Sequence, residues 1–492
     1  MKCKSACIVI NPRDGQNVTR ITALVAVLSA AGWRTEIVVK EYGGRSMELA
    51  AKAAEEEYDL VIGYGGDGTL NQVLNGVMNV KGHRSIVGVI PGGTANVWAA
   101  EVGVPNDPVQ AALTLVNSEA RKVDIGYVDV QGLAFPGITQ DDREKKIRKR
   151  KVKAASKAQH HFLLMAGLGM DAAIMEHVSK ALKHRIGPLA VGLSVAKELP
   201  RQHPFPIEIR VGGDINEGDA VWKGEAFQVV IGNTRRYANI LELTPQAFLD
   251  DGMLDVCVIK AGNPLTSIEQ ITSFLFRRKP DTLTTEHFHG ASITLSVPAS
   301  IDMQLDGSAV RLKDYLSKSD RQALQRAGNA EQVMVKYAFE AMPHALQVAI
   351  PYTYDGTLFE HLSADEKPSA AAQQPEDEDT AQSRDQRFAE VQREPPELIH
   401  TLLEQGHKVT VMGVASQPEK QHEYIIAGTM QKQSTGDTSP VAIQVTGNVT
   451  ILKHTGEHVA PGTLQELQEG AVVVAEGKKR KYGVIRARSV VI

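Results

Sequence analysis

Residues 60–77 read LVIGYGGDGTLNQVLNGV. The first four, Leu60–Gly63, are an apolar run of strand length. Gly65, Gly66, Asp67 and Gly68 form a turn, and Leu70, Val73, Leu74 and Val77 then recur at helical spacing. A strand, a glycine turn and a helix in immediate succession make a βα unit. Upstream, Ala6–Ile10 is a second short strand ending in Asn11-Pro12. It is followed by helical spacing over Val18–Ala31 through Ile21, Leu24, Val25 and Leu28, with Gly32 as a stop. Thr35–Val39 reads as a strand and Met47–Glu57 as a helix. Downstream, Ile86–Ile90 is a fourth strand and runs into Pro91-Gly92-Gly93-Thr94-Ala95-Asn96. Strands alternating with helices predict a doubly wound, Rossmann-like α/β domain with a mainly parallel sheet. Ligands of such sheets sit at the carboxyl ends of the strands, and both glycine turns fall there.

Beyond Asp124 the texture becomes β-rich. Phe162–Leu164, Ile207–Val211, Phe227–Ile231, Leu254–Ile259, Ala291–Val297 and Ala345–Ile350 are candidate strands, with helices expected only near Met175–Lys183 and Leu189–Glu198. This pattern predicts a second domain built as a β-sandwich or barrel. Residues 363–397 are rich in Ala, Gln, Pro and acidic residues, a composition too polar to bury, and read as a linker. From 399 onward short strands return (Lys408–Val414, Tyr424–Thr429, Val441–Val445, Val449–Lys453, Ala471–Glu476 and Val484–Ala487). They suit a small OB-like barrel. The expected organisation is therefore an α/β domain over 1–125 and a β-rich domain over 126–352. An acidic linker over 353–398 and a small β domain over 399–492 follow.

Composition narrows the classes. Lys+Arg 54 against Asp+Glu 58 leaves a net charge of -4, which argues against a general nucleic-acid binder. Cys3, Cys7 and Cys257 cannot build a disulfide scaffold or a zinc site, in keeping with a reduced, cytoplasmic setting. The N-terminus turns polar at Asn11, before a signal-peptide core forms, and the longest weakly polar stretch, 187–196, is half a membrane span. Any membrane contact is expected to be peripheral.

Glycines at a strand-to-helix turn let the backbone approach phosphate oxygens, and the helix start adds N–H donors and a positive dipole end. Thr69 adds a hydroxyl, and Asn71 is placed to reach back to the same loop. Asp67 would repel phosphate, so its carboxylate suggests a magnesium network or a proton acceptor. Taken alone, Gly-Asp-Gly is also a plain tight turn. The second glycine loop on the neighbouring strand end shifts the balance to a phosphate cleft. Neither loop is a Walker A loop or a dinucleotide fingerprint.

GGDGTLNQVLNGV at 65–77 and GVIPGGTANVWAAEVGVP at 88–105 resemble the catalytic domain of the diacylglycerol kinase and sphingosine kinase family, the bacterial lipid-kinase branch above all. INP at 10–12, VDIG at 123–126, LLMAGLGMDA at 163–172, VVIGNT at 229–234, DDGMLDVCVIK at 250–260 and QLDGS at 304–308 agree with it. The resemblance spans roughly 1–352. It implies ATP- and Mg²⁺-dependent phosphorylation of a lipid hydroxyl, with diacylglycerol as the first candidate. By motif match, Asn11, Gly65, Gly66, Asp67, Gly68, Thr69, Leu70, Asn71, Gly92, Gly93 and Thr94 would line the nucleotide site. Asp251, with the carbonyls of Phe248 and Met253, matches a structural magnesium position. The same turn also reads as a bare hairpin bend.

Three positions depart from the family. Relatives carry Glu where Ser308 stands, and that Glu is taken as the base that activates the lipid hydroxyl. A serine cannot serve so without a partner. Gln72 and Lys40-Glu41 also differ from the usual Glu and threonines. Asp67 would then be the proton acceptor, or positioning and charge neutralisation would carry most of the transfer. The alternatives are a weak or silent lipid- or nucleotide-binding regulator and a small-molecule kinase of the NAD-kinase type.

Two insertions interrupt the family pattern, at about 132–160 and 313–332. The first carries Arg143, Lys145, Lys146, Arg148, Lys149, Arg150, Lys151, Lys153 and Lys157. Such a run is a solvated loop or an attachment to anionic lipid, worth about 1 kcal/mol per basic residue near the surface. The segment 143–157 would bring a lipid substrate at the membrane surface within reach. No aromatic residue interleaves with it, so nucleic acid is not the expected partner. His160 and His161 lack metal-ligand spacing, and Trp98 and Trp222 read as packing residues.

Overall fold

The computed structural model describes residues 3–12, 20–40, 44–135, 159–169, 203–212, 221–237, 241–261, 285–360, 403–416, 423–431, 438–447, 449–455 and 458–492. The first third is the expected α/β alternation: β1 Ser5–Ile10, α1 Ile21–Ala30, β2 Arg34–Val39, α2 Arg45–Glu55, β3 Leu60–Gly65, α3 Asp67–Met78 and β4 Ile86–Pro91. β1 lies between β2 and β3, and β3 pairs with β4, all parallel. β3 is buried along its whole length because helices cover both faces of the sheet. Two further helices follow, α4 Val97–Glu101 and α5 Pro108–Val116. Asp107 caps α5 by accepting hydrogen bonds from the Val109 and Gln110 amides, and Pro108 occupies its first turn.

The next strands are β5 Ser118–Ala134, β6 His161–Phe162, β7 Met165–Gly169, β8 Phe205–Val211, β9 Trp222–Gly232, β10 Arg236–Tyr237, β11 Leu241–Glu242, β12 Leu254–Lys260, β13 Thr285–Gly290, β14 Ser292–Pro298, β15 Met303–Leu305 and β16 Ser308–Val310. Helices α6 Leu312–Tyr315 and α7 Lys318–Ala327 occupy the second insertion, and β17 Met334–Pro351 closes the region. The sheet does not stop at residue 125. β5 and β17 pair antiparallel over almost their full lengths, and the end of β17 pairs parallel with β4. One 15-stranded sheet therefore runs through both core domains. At the crossing point the register slips: Met342 faces Ile125 and Leu346 faces Val123, so residues 343–345 bulge opposite Asp124. The Asp124 carboxylate holds the bulge, accepting from the His344 amide at 2.7 Å and the Gly252 amide at 2.6 Å.

Two expected strands change. Ala345–Ile350 is only the end of the 18-residue β17. Phe162–Leu164 is not one strand: β6 ends at Phe162 and β7 begins at Met165, because the Leu163 and Leu164 amides turn to a buried carboxylate, that of Asp306. The helices expected at 175–183 and 189–198, the basic segment 143–157 and the linker at 363–397 lie outside the described residues. Among the described residues, no helix is long and apolar enough to cross a membrane.

The C-terminal strands are β18 His407–Ser416, β19 Tyr424–Gln431, β20 Thr438–Val445, β21 Thr450–Thr455, β22 His458–Pro461, β23 Val472–Lys479 and β24 Val484–Val491. A parallel β20–β24 pair closes five of them into a barrel, the OB-like form expected. The barrel is not a satellite. Ile425, Ala427, Ala442 and Val484 join the same apolar core as Leu24, Val27 and Leu28 of α1. Gly413 sits against Gln110 and Leu113 of α5, and the Gln110 amide donates to the Met412 carbonyl. α1, ITALVAVLSA, is apolar on nearly every side because the sheet covers one face and the barrel another.

Candidate functional site

The two glycine loops meet. A Cβ on Gly93 would run into the Gly66 Cα, and one on Gly66 would lie 3.2 Å from the Gly93 Cα. Glycine at 93 is what allows the backbones to touch, and at 66 any Cβ would make the approach tight. The Gly92 amide donates to the Gly65 carbonyl at 3.0 Å, extending the β3–β4 pairing into the loops. Asn96 holds the second loop from within. It adopts a left-handed φ of 49°, its Oδ1 accepts from the Gly93 amide at 3.0 Å, and its Nδ2 donates to Asn106.

Asp67 ties the loops together. Its Oδ2 accepts from the Val97 amide at 3.0 Å and its Oδ1 from the Trp98 amide at 3.1 Å. The first residue of α3 thus caps α4, the helix that follows the second loop. Burial pushes its carboxyl upward, opposed by these backbone donors. α3 itself starts at Gly66, which supplies no side-chain cap, and its positive end lies at the meeting point of the two loops with Asp67 in its first turn. At the neighbouring strand end, Asn11 Nδ2 donates to the Thr69 hydroxyl at 3.1 Å.

Behind the loops lies a buried polar network that joins the two core domains. Asp306 Oδ2 accepts from Asn71 Nδ2 at 2.9 Å and the Leu163 amide at 2.8 Å, and its Oδ1 accepts from the Leu164 and Met165 amides. Burial outweighs these donors and lifts the Asp306 carboxyl to about 6. Asn75, one turn after Asn71, accepts from the His160 and His161 amides and donates to the His161 carbonyl. His161 is held neutral, its pKa pushed down to about 4 by burial and then by His160 and His83.

Among the expected residues, Gly65, Gly66, Asp67, Gly68, Thr69, Gly92 and Gly93 come together with Asn11 at the cleft, and Thr94 is exposed at its rim. Asn71 lies close by, but its side chain turns away from the loop, into the network behind it. Leu70 packs into the core beneath the loop. Ser308 belongs to the cleft: its Oγ lies 2.6 Å from where a Gly68 Cβ would stand. Asp306 and Gly307, both at positive φ, form the turn that delivers it there.

Asp251 lies elsewhere, on the turn beside Asp124 at the bulge between β5 and β17. Its Oδ1 accepts from the Met253 amide at 2.9 Å. Burial raises its pKa, as do the charges of Asp124, Glu360 and Asp250. The ring of Phe248 lies under the Arg235 guanidinium. A carboxylate crowded by like charges, with backbone carbonyls on the same turn, is the chemistry of a hard, oxygen-seeking cation. Among the described residues, no three His, Cys, Asp or Glu side chains converge on one point. Carbonyl and water oxygens would have to complete the shell.

Asp306, Asn75, Asn96 and His161 were not singled out from the sequence as site residues. Asn75 had a signal, since it stands four residues after Asn71, on the same face of the helix. Asp306 was visible inside QLDGS, but nothing local tells that three amides 140 residues upstream would claim it.

Residues 5–128 match the diacylglycerol kinase catalytic domain, and residues 165–349 match the YegS C-terminal NAD kinase beta sandwich-like domain. A diacylglycerol kinase of Bacillus subtilis (strain 168) is 27% identical over 310 residues, 62% of this chain and 89% of its own length. One from Staphylococcus saprophyticus is 28% identical over 305 residues, 62% of this chain and 88% of its own. A crystal structure described as a putative diacylglycerol kinase from Bacillus anthracis str. Sterne shares the fold. It superposes with a TM-score of 0.52 at 20% identity, covering 71% of this chain and 98% of that one.

Proposed function

Because the chain belongs to the diacylglycerol kinase catalytic-domain family, within its bacterial lipid-kinase branch, we propose that it transfers the γ-phosphoryl group of ATP to the hydroxyl of diacylglycerol or a closely related lipid. The observation that carries this reading is the backbone contact of Gly66 with Gly93 at the start of α3. Two glycine loops and a helix dipole there face one cleft, an arrangement suited to a polyphosphate.

In this reading the backbone of 65–69 and 92–94 takes the triphosphate, with the Thr69 hydroxyl oriented by Asn11. Asp67 fixes the spacing of the two loops, since both its oxygens are engaged by amides of α4. Ser308 presents a hydroxyl, not a carboxylate, where the lipid hydroxyl would enter. Transfer then leans on positioning and charge neutralisation, which carry most phosphoryl transfers. When Mg²⁺ accompanies ATP it neutralises phosphate charge. Asp251 and the Phe248 and Met253 carbonyls would hold a structural ion apart from the cleft. The basic segment 143–157 would attach the protein to anionic lipid.

The test is transfer of labelled γ-phosphate from ATP-Mg²⁺ to diacylglycerol in mixed micelles, with Gly93→Ala as control. Labelled phosphatidic acid with wild type and none with the folded control supports the reading. Failure of the wild type to label any lipid, with ATP still bound, would select the catalytically silent regulator that Ser308 favours. Sedimentation with anionic vesicles, with and without 143–157, tests the attachment.

A further inference from the structure

A cavity of about 390 Å³ opens between the barrel and the α/β domain, where α1 ends and Gly32 turns the chain. α1 connects two parallel strands and so runs antiparallel to them. Its end therefore lies at the edge of the sheet opposite the glycine loops, one full strand length away. The cavity belongs to a different face of the molecule from the phosphate cleft.

Arg480, Lys481 and Arg486 line it, against a single carboxylate, Glu423. All three cations are exposed, and none forms an ion pair among the described residues. Ser29 and Thr446 also line it, one from each domain. Tyr482 stands at the mouth, 64% exposed. Its backbone is at φ 60°, followed by Gly483 at 74°, two successive positive values at the tip of the β23–β24 hairpin. Such tips are ordinarily built from Asn, Asp or Gly. A bulky aromatic there is strained, and its ring stays largely outside the apolar core.

We propose that this cavity binds a small phosphoryl-bearing anion with a planar ring, a nucleoside phosphate in chemical class, at a site separate from the phosphate cleft. The guanidinium forks of Arg480 and Arg486 match phosphate oxygens, with Lys481 as an added point charge. The Tyr482 ring offers a face for stacking, and the two hydroxyls offer hydrogen bonds to the ring or sugar edge. The volume falls in the range of small-ligand clefts. A bilayer is the poorer partner for this patch: pressed against Tyr482, it would lie at the edge of the sheet away from the cleft that must receive the lipid. A ligand touching both domains also clamps the barrel onto α1, so binding stabilises the docked arrangement.

The test uses hydrogen–deuterium exchange on the whole chain, with AMP, pyrophosphate and phosphatidylglycerol vesicles as separate probes. AMP is expected to slow exchange at 29–32 and 480–486, pyrophosphate to do so more weakly, and vesicles not at all. Arg480→Ala with Arg486→Ala should weaken the AMP effect by roughly tenfold or more, while ADP protection at 65–69 and 92–94 stays unchanged. Tyr482→Ala should weaken AMP but spare pyrophosphate, a distinction that does not depend on the double variant folding. No slowing at 480–486 with millimolar AMP would overturn the proposal, as would slowing that survives the double variant. Slowing by vesicles alone would make the hairpin a membrane contact and overturn it equally.

Discussion

Asp306 accepts a hydrogen bond from Asn71 at 2.9 Å across 235 residues of sequence, both side chains buried. The pair couples the helix that begins at the first glycine loop to the turn that carries Ser308. Asn71→Ala removes one donor from a buried carboxylate and one acceptor from the Asn75 amide. We expect a loss of about 2 kcal/mol by chemical denaturation. Phosphoryl transfer should fall by roughly tenfold or more, since the two halves of the cleft lose their register.

The Asp306 carboxyl titrates at about 6 in the fold, above its value in the unfolded chain. The folded protein therefore holds this proton where the unfolded chain has released it. Its stabilising contribution is complete below about pH 4 and is lost as pH rises through 6. Comparing wild type with Asp306→Asn by urea denaturation from pH 4 to 7 should show a fall of about 2–3 kcal/mol in wild type that the variant lacks. Parallel curves for the two proteins would refute the assignment.

Ser308→Glu places a carboxylate in the cleft against Gly68. If deprotonation of the lipid hydroxyl limits turnover, kcat should rise by about tenfold or more, and the gain should vanish in acid as the new carboxyl protonates. An unchanged kcat would mean that positioning alone sets the rate.

The barrel docks through a glycine. A Cβ on Gly413 would stand 2.7 Å from Gln110 Nε2 and 2.8 Å from Leu113 Cδ1. Gly413→Val should push the barrel away from α5, costing about 1–3 kcal/mol. Limited proteolysis is expected to separate residues beyond 400 from the core more readily. ATP binding at the distant loops should be retained.

The α/β alternation and the meeting of the two loops were legible because each depends on neighbours in sequence: strand, glycine, helix start. What lay beyond reading depended on distant partners. Leu163 and Leu164 continue an apolar run, and only the Asp306 carboxylate explains why their amides leave the strand ladder. Asn71 looked free to serve its own loop, but a buried amide goes where partners exist. No helix was expected where α5 lies, although Asp107-Pro108 is a cap followed by a first-turn proline. The unbroken sheet through β5 and β17 was hidden by the bulge opposite Asp124, where the alternation of both strands is interrupted.

The double covering of α1 has a consequence for how the protein is made. Residues 21–30 leave the ribosome roughly 400 residues or more ahead of Ala442 and Val484, which share their core. At about 5–20 residues per second, the barrel-facing side of α1 stays uncovered for roughly 20–90 seconds. During that interval the nascent chain carries an apolar helix face with no partner yet synthesised. The barrel thus acts as a late-arriving seal, and a chain that stalls before its last strands leaves that face open to chaperones, proteases and other chains.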